Sequence, residues 1–333
     1  MQHGLSVRNF QGVTLSTFLH RLRIASPYDK PSHDTAWIAG AAIKRFLESS
    51  RREKIEKIVR VLRRPLSLRR GKQWDKIQEA EPCFVLVNRS ERFLLDSRDQ
   101  EISRKIYQRG YHEFPKFISA LNILKIPQNH VNLLVDVGAN MGEICISAVA
   151  RGLASQAIAV EADSRNFNLL TTNILLNNLQ SKISAHQVAA GSSDGRVVQL
   201  LRSETNCGDH QIRPLANSGI MDSIEVTERS LDSIAPMLDP RTDLVWIDVQ
   251  GYEVEVLRGS SEICRTCVPI VMEISPEHLR VHGIVDDLLD CVSNYKGFFD
   301  LGRYRPIFQP IAHLRELYAD LDSSKTWTDI LLK

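Results

Sequence analysis

One segment constrains the fold of this chain more than any other. Leu133-Leu134-Val135-Asp136-Val137 has the apolar density of a strand buried on both faces. Gly138-Ala139-Asn140-Met141-Gly142 then reads as a tight turn, and Glu143 to Val149 as the start of a helix. A second strand, Ala157-Ile158-Ala159-Val160, ends in Glu161. Short apolar strands and helical patterns keep alternating to the C-terminus. Strands are expected at 184–188, 244–247, 270–273 and 298–301, with a final edge strand at 327–332. Helices are expected to begin near Met141, Ser164, Glu253 and Val285. Such alternation implies an α/β fold with a parallel sheet covered by helices.

The turn after the first strand is where chemistry is expected. In a doubly wound sheet, ligands bind beyond the carboxyl ends of the strands. Gly138 lets the backbone approach a ligand where a β-carbon would collide. Glu161 lies 23 residues after Gly138, near the spacing of an acid that holds a ribose through its 2′ and 3′ hydroxyls. Two cofactors share that geometry. A dinucleotide needs G-x-G-x-x-G/A, whereas Ala139-Asn140 replaces the middle of the pattern here. Glu143 would also oppose a pyrophosphate at the helix N-terminus. S-adenosylmethionine (SAM) has no phosphate and carries a sulfonium and an ammonium, which Asp136 and Glu143 suit, directly or through water. The same residues have a plainer reading, with Asp136 capping the turn and Glu143 starting a solvated helix. An NAD-dependent oxidoreductase is the rival enzyme class.

The far half of the sheet supplies more acids. The strand Leu244-Val245-Trp246-Ile247 ends in Asp248, and Ile270-Val271-Met272 ends in Glu273, both expected to face the same cleft. The separated motifs together resemble the FkbM family of SAM-dependent methyltransferases. They are Val135-Asp136-Val137-Gly138-Ala139-Asn140-Met141-Gly142-Glu143, Val160-Glu161-Ala162-Asp163, Asn173 with Asn177, Ser230-Leu231-Asp232-Ser233-Ile234, Ile247-Asp248-Val249-Gln250-Gly251-Tyr252-Glu253 and Met272-Glu273-Ile274. The resemblance spans about 131–275. Ala162 departs from it, since many relatives have proline after the acid.

The resemblance implies a Rossmann-like class I methyltransferase with a mostly parallel seven-stranded sheet, and O-methylation of a hydroxyl on a saccharide or a glycosylated or polyketide metabolite. The cofactor-binding set is then Asp136, Gly138, Ala139, Asn140, Glu143 and Glu161. Ala190, in the small-residue run after the third strand, is expected beside the adenine. Methyl transfer is an in-line displacement, and a sugar hydroxyl needs a base or a metal to take or stabilise its proton. Asp248 is the first candidate for that base and His210 the second, with Glu253 and Glu273 orienting the acceptor. Asp248 equally suits a cofactor contact or a turn, His210 a surface loop, and Glu253 a helix start. Asp248 and Glu273 could hold a divalent cation through oxygen ligands, but no metal site is assigned.

Ahead of the methyltransferase-like part, 131–333, the chain divides into a basic, partly helical extension at 1–75 and a small hairpin–helix cap at 76–130. The segment 44–72 holds twelve Lys/Arg and three Glu, while the remainder has 30 basic and 37 acidic residues. Ile55, Ile58, Val59 and Leu62 recur there at helical spacing, and Pro65 should end that helix. A solvated helix and an anionic membrane surface are its competing uses. Lack of interleaved aromatics argues against nucleic acid. A scaffold that docks through 44–72 without methyl transfer is the non-enzymatic rival. Six scattered cysteines, no apolar run of about 18 residues and no secretory leader pattern point to a cytoplasmic protein, with peripheral membrane contact as a further option. The lone Cys264-Arg265-Thr266-Cys267 and the pair His278 and His282 lack the partners of a zinc or redox site.

Overall fold

The computed structural model describes residues 60–63, 70–80, 82–88, 90–126, 130–203, 206–213, 223–282 and 285–333. Strands β1 (Arg60–Arg63), β2 (Cys83–Asn88) and β3 (Glu91–Asp96) form a small sheet, with helix α1 (Arg70–Ala80) between the first two. β2 and β3 pair antiparallel from Cys83 opposite Asp96 to Asn88 opposite Glu91. β1 adds to β2 in parallel. The helix expected through Leu62 is therefore corrected at its end, because the open backbone edge of β2 takes Arg60–Arg63 as a strand. Ile55, Ile58, Val59, Pro65 and most of the basic stretch lie outside the described residues. α2 (Ile102–Arg109) and α3 (Phe114–Leu124) follow, separated by Gly110, which closes α2 at φ +87°. Pro115 falls in the first turn of α3, where its missing N–H leaves no bond unmade.

The main sheet begins with β4 (Val131–Val137), α4 (Glu143–Ala150), β5 (Ala154–Val160), α5 (Ser164–Leu176) and β6 (Ile183–His186). A second sheet follows, made of β7 (Ala189–Ala190), β8 (Val197–Leu201), β9 (Gln211–Arg213) and β10 (Ser223–Arg229) in the order β7-β10-β8-β9. The main sheet then resumes with α6 (Leu231–Ile234), β11 (Leu244–Ile247), α7 (Glu253–Arg258), α8 (Ser261–Thr266) and β12 (Ile270–Ile274). The chain closes with α9 (Pro276–Leu279), α10 (Val285–Cys291), β13 (Gly297–Asp300), β14 (Phe308–Pro310), α11 (Leu314–Ser324) and β15 (Thr328–Leu332).

The spatial order is β14-β13-β15-β12-β11-β4-β5-β6. β6, β5, β4, β11 and β12 pair in parallel. β15 runs antiparallel to both of its neighbours, so β13 again points with the parallel set and β14 against it. This is the Rossmann-like, doubly wound arrangement, with two differences from the expectation. There are eight strands among the described residues instead of seven. The C-terminal strand is interior, between β12 and β13, and all five of its residues are buried.

Each face of the sheet carries one apolar core. Leu134 joins a cluster with Met141, Leu170, Trp74, Phe84 and Phe117, so the N-terminal sheet and its helices share a core with α4 and α5. Val135 and Val137 join the opposite cluster, with Ala190, Leu200, Ile212 and Val226 of the second sheet. The alternation explains why β4 reads as continuously apolar. Polar staples complete the first core. The Asn173 Oδ1 accepts from the Leu94 N–H at 2.6 Å, and its Nδ2 donates to the Met141 carbonyl at 2.9 Å. Asn177 repeats the device on Arg92, accepting at 2.8 Å and donating at 2.7 Å. Two side-chain amides, one in α5 and one at its C-cap, thus stand where a further strand would pair with β3.

Candidate active site

Two turns meet at the carboxyl edge of the main sheet. Gly138 follows β4 at φ +78°, and a β-carbon there would lie 1.8 Å from the Asp248 carbonyl oxygen. The backbone conformation and the close approach both demand glycine. The Gly138 and Ala139 N–H groups donate to the Val160 carbonyl at 2.9 and 3.0 Å, which ties this turn to the end of β5. The Asp248 N–H donates to the Val137 carbonyl at 2.9 Å, which ties β11 to the same turn. A cleft partly open to solvent lies over this junction.

Glu161 lines the cleft at the end of β5. Its Oε2 accepts from the Asn140 N–H and its Oε1 from the Asp163 N–H, both at 2.8 Å. One lone-pair site remains on each oxygen, enough for two adjacent hydroxyls. Burial pushes its pKa up to about 7, against the pull of those N–H donors. Asn140, at φ +50°, donates from Nδ2 to the Cys207 carbonyl at 2.7 Å. Asn166 donates to the same carbonyl at 2.8 Å, so the 206–210 segment of the second sheet is bolted across the cleft. Cys207, Gly208 and His210 line it from that side, with Leu200 and Ile212. His210 accepts from the Ser203 N–H through Nδ1 at 3.1 Å, and burial lowers its pKa. Ala162, Val188, Ala189 and Ala190 form a small-residue wall that leaves room for a flat ring.

Asp248, Val249, Gln250 and Tyr252 line the opposite end. Gln250 donates to the Asp248 Oδ1 at 2.6 Å. Burial raises the Asp248 pKa well above the usual carboxylate range, reinforced by the charges of Glu113, Glu273 and Asp329. Glu273 and Asp329 stand opposite each other on β12 and β15. Burial likewise lifts Asp329, to about 7. Lys116 pairs with Asp329 and, at 2.7 Å, with Glu113. Among the described residues, no group of three or more His, Cys, Asp or Glu is arranged to hold a metal ion.

The remaining expected site residues sit behind this surface. Glu253 is fully buried and accepts from the Gly251 N–H at 3.1 Å and the Val249 N–H at 3.4 Å, closing the turn after Asp248. Glu273 faces His278, with its Oε1 3.8 Å from Nδ1. Asp136 accepts from the Cys145 N–H at 3.0 Å beneath the turn. Glu143 points away from the cleft, into the backbone that precedes α3. It accepts from the N–H groups of His112, Glu113 and Phe114 at 2.5, 3.0 and 3.4 Å. Neither Asp136, Ala139, Glu143, Glu253 nor Glu273 is among the cleft-lining residues, whereas Gly138, Asn140, Glu161, Ala190, His210 and Asp248 are.

Sequence reasoning missed Ile102, Asn166, Cys207 and Tyr252 in the lining. Ile102 and Cys207 reach the cleft from outside the strand–turn–helix motifs, and no local pattern marks them. Asn166 sits in the first turn of α5, three residues after the Asp163 cap, and that spacing was the available signal. Tyr252 is held by Glu228, whose Oε2 accepts from its hydroxyl at 2.7 Å.

Residues 136–298 match the Methyltransferase FkbM domain. A search among curated protein sequences finds no match. Among solved structures, the chain is similar to the methyltransferase FkbM from Methylobacillus flagellatus, at 16% identity and a TM-score of 0.37, over 62% of this chain. This chain spans 44% of the length of that protein. It is also similar to Pyrococcus horikoshii TYW2 in complex with MeSAdo, at 13% identity and a TM-score of 0.38, over 83% of this chain and 86% of that one. M. jannaschii TYW2 in complex with AdoMet aligns at 12% identity and a TM-score of 0.35, over 76% of this chain and 85% of that one.

Proposed function

From a chain that carries an FkbM methyltransferase domain over residues 136–298, we propose an O-methyltransferase that acts on a hydroxyl of a saccharide or of a glycosylated or polyketide metabolite. The domain is a SAM-dependent methyltransferase, and SAM supplies the methyl group when bound. The observation that carries the reading is the junction of the Gly138 and Asp248 turns, which brings Glu161 and Asp248 into one cleft.

Glu161 offers its free lone pairs to the two ribose hydroxyls, Asn140 shapes the turn beside them, and Ala189 and Ala190 flank the adenine. Asp248 takes the proton of the acceptor hydroxyl. Burial raises its pKa, which makes its carboxylate a stronger base than an exposed one. Gln250, bonded to Asp248 Oδ1, fixes the carboxylate's orientation. His210 lines the cleft on the other side and is the second candidate for that proton. Asp136, Glu143 and Glu253 support the turns from behind.

Calorimetric titration of the purified protein with SAM, and radiolabelled methyl transfer to glycan and lipid extracts, test this reading. SAM is expected to bind with a Kd below millimolar, and NAD is expected not to compete. Asp248→Asn should leave SAM affinity unchanged and lower the transfer rate by about a hundredfold or more. Unchanged turnover in that variant would remove Asp248 from the role of base, and label on carbon or nitrogen would overturn O-methylation.

A further inference from the structure

We propose that the loop at 301–307, together with Phe308, docks this end of the molecule on an anionic lipid bilayer. β13 points the same way as β11 and β12, so the loop leaves the sheet at the edge where Asp248 and Glu273 lie. Its start is anchored. Asp300 accepts from the Thr328 hydroxyl at 2.6 Å and from the Gly302 N–H at 3.0 Å, and Thr328 directly precedes Asp329 of the acidic cluster. Beyond that anchor the loop presents apolar side chains to solvent. Tyr304 is 95% exposed, Ile307 60%, Phe308 49% and the adjoining Trp327 54%. Phe308 is seated edge-on against Phe299, with ring centroids 5.5 Å apart.

The charge pattern selects the partner. From Asp300 to His313 there are two arginines and one acid, and that acid, Asp300, pairs with Arg303, so Arg305 supplies the loop's net positive charge. Arg303 is oriented by Asp300, and the Arg305 guanidinium lies 5.9 Å from the Tyr304 ring centroid. Outside 44–72 the chain is acidic on balance, so an anionic surface repels most of it and attracts this loop. Exposed aromatic and aliphatic side chains flanked by arginine match the boundary between headgroups and acyl chains. Docked this way, the cleft edge faces the bilayer. The inference does not depend on which acceptor is methylated.

The test is co-sedimentation of the full chain with vesicles of phosphatidylcholine alone and of phosphatidylcholine mixed equally with phosphatidylglycerol. The protein is expected to bind the anionic vesicles at least about fivefold more tightly than the neutral ones, since one net positive charge near such a surface adds about that much. Tyr304→Ser with Ile307→Ser should weaken anionic binding by about tenfold and leave the thermal midpoint unchanged, because both side chains stand in solvent. No binding to anionic vesicles would overturn the proposal. So would a double variant that binds like wild type, which would assign binding to the 44–72 stretch. A dimer in sedimentation velocity that the double variant disperses, without vesicle binding, would reassign the surface to a second copy of the chain.

Discussion

Glu161 combines two properties that together predict a pH dependence. It lines the cleft with lone pairs left free by the Asn140 and Asp163 N–H groups, and burial raises its pKa to about 7. Ribose hydroxyls donate best to the ionised carboxylate, so cofactor binding should lower this pKa and release a proton. The sign follows: affinity for SAM rises with pH up to about 7 and levels off above it. Below pH 7 the Kd should rise by up to about tenfold per pH unit, and Glu161→Gln should flatten the profile at the weak level. Titration calorimetry between pH 5.5 and 8.5 measures both. That Glu161 and Asp248 line the cleft was legible because each directly follows a buried parallel strand, whereas Glu273 lies within its strand and does not line it. Glu143 was not. A carboxylate opening a helix has the same local pattern whether it faces a cofactor or, as here, the backbone of residues 112–114, about thirty positions upstream. The charge argument against a dinucleotide therefore loses its premise, and the family match carries that distinction instead.

At the scale of elements, α4 and α5 hold the N-terminal sheet through buried polar bonds. Glu91 is fully buried and pairs with Arg151, while Ser147 donates to it at 3.3 Å. Removing such a partner leaves buried backbone groups unsatisfied, at about 1–3 kcal/mol each. Asn173→Ala should therefore cost about 2–3 kcal/mol in urea unfolding, and Glu143→Ala at least as much, whereas Asn168→Ala, on the same helix without such a staple, should cost under about 1 kcal/mol. The starts of α5, α7 and α10 at Ser164, Glu253 and Val285 were readable from the helical patterns that follow each strand, and α4 begins two residues beyond the expected Met141. The second sheet was not, because β7 and β9 have two and three residues and take their partners from the surrounding fold. The place of β15 was also hidden. An apolar C-terminal run shows that a strand exists, and only tertiary pairing inserts it between β12 and β13.

Considered whole, the molecule is two apolar cores on either side of one sheet, with a second sheet latched over the cleft. The latch is the Cys207 carbonyl, held by Asn140 and Asn166, and Arg202 paired with Asp163 supports it. A cofactor in the cleft would lie beneath Cys207, Gly208 and His210. Amide hydrogen exchange across 206–212 is therefore expected to slow by about tenfold or more on saturation with SAM, while exchange in α11 stays unchanged. Equal protection in both places would show general stiffening instead of closure over a ligand. The contact between Gly138 and the Asp248 carbonyl has a consequence for redesign. The spacing between the Gly138 turn and Asp248 is written in main chain against main chain, so it persists when the surrounding side chains are exchanged. Any side chain added at position 138 would separate the two turns regardless of what surrounds them.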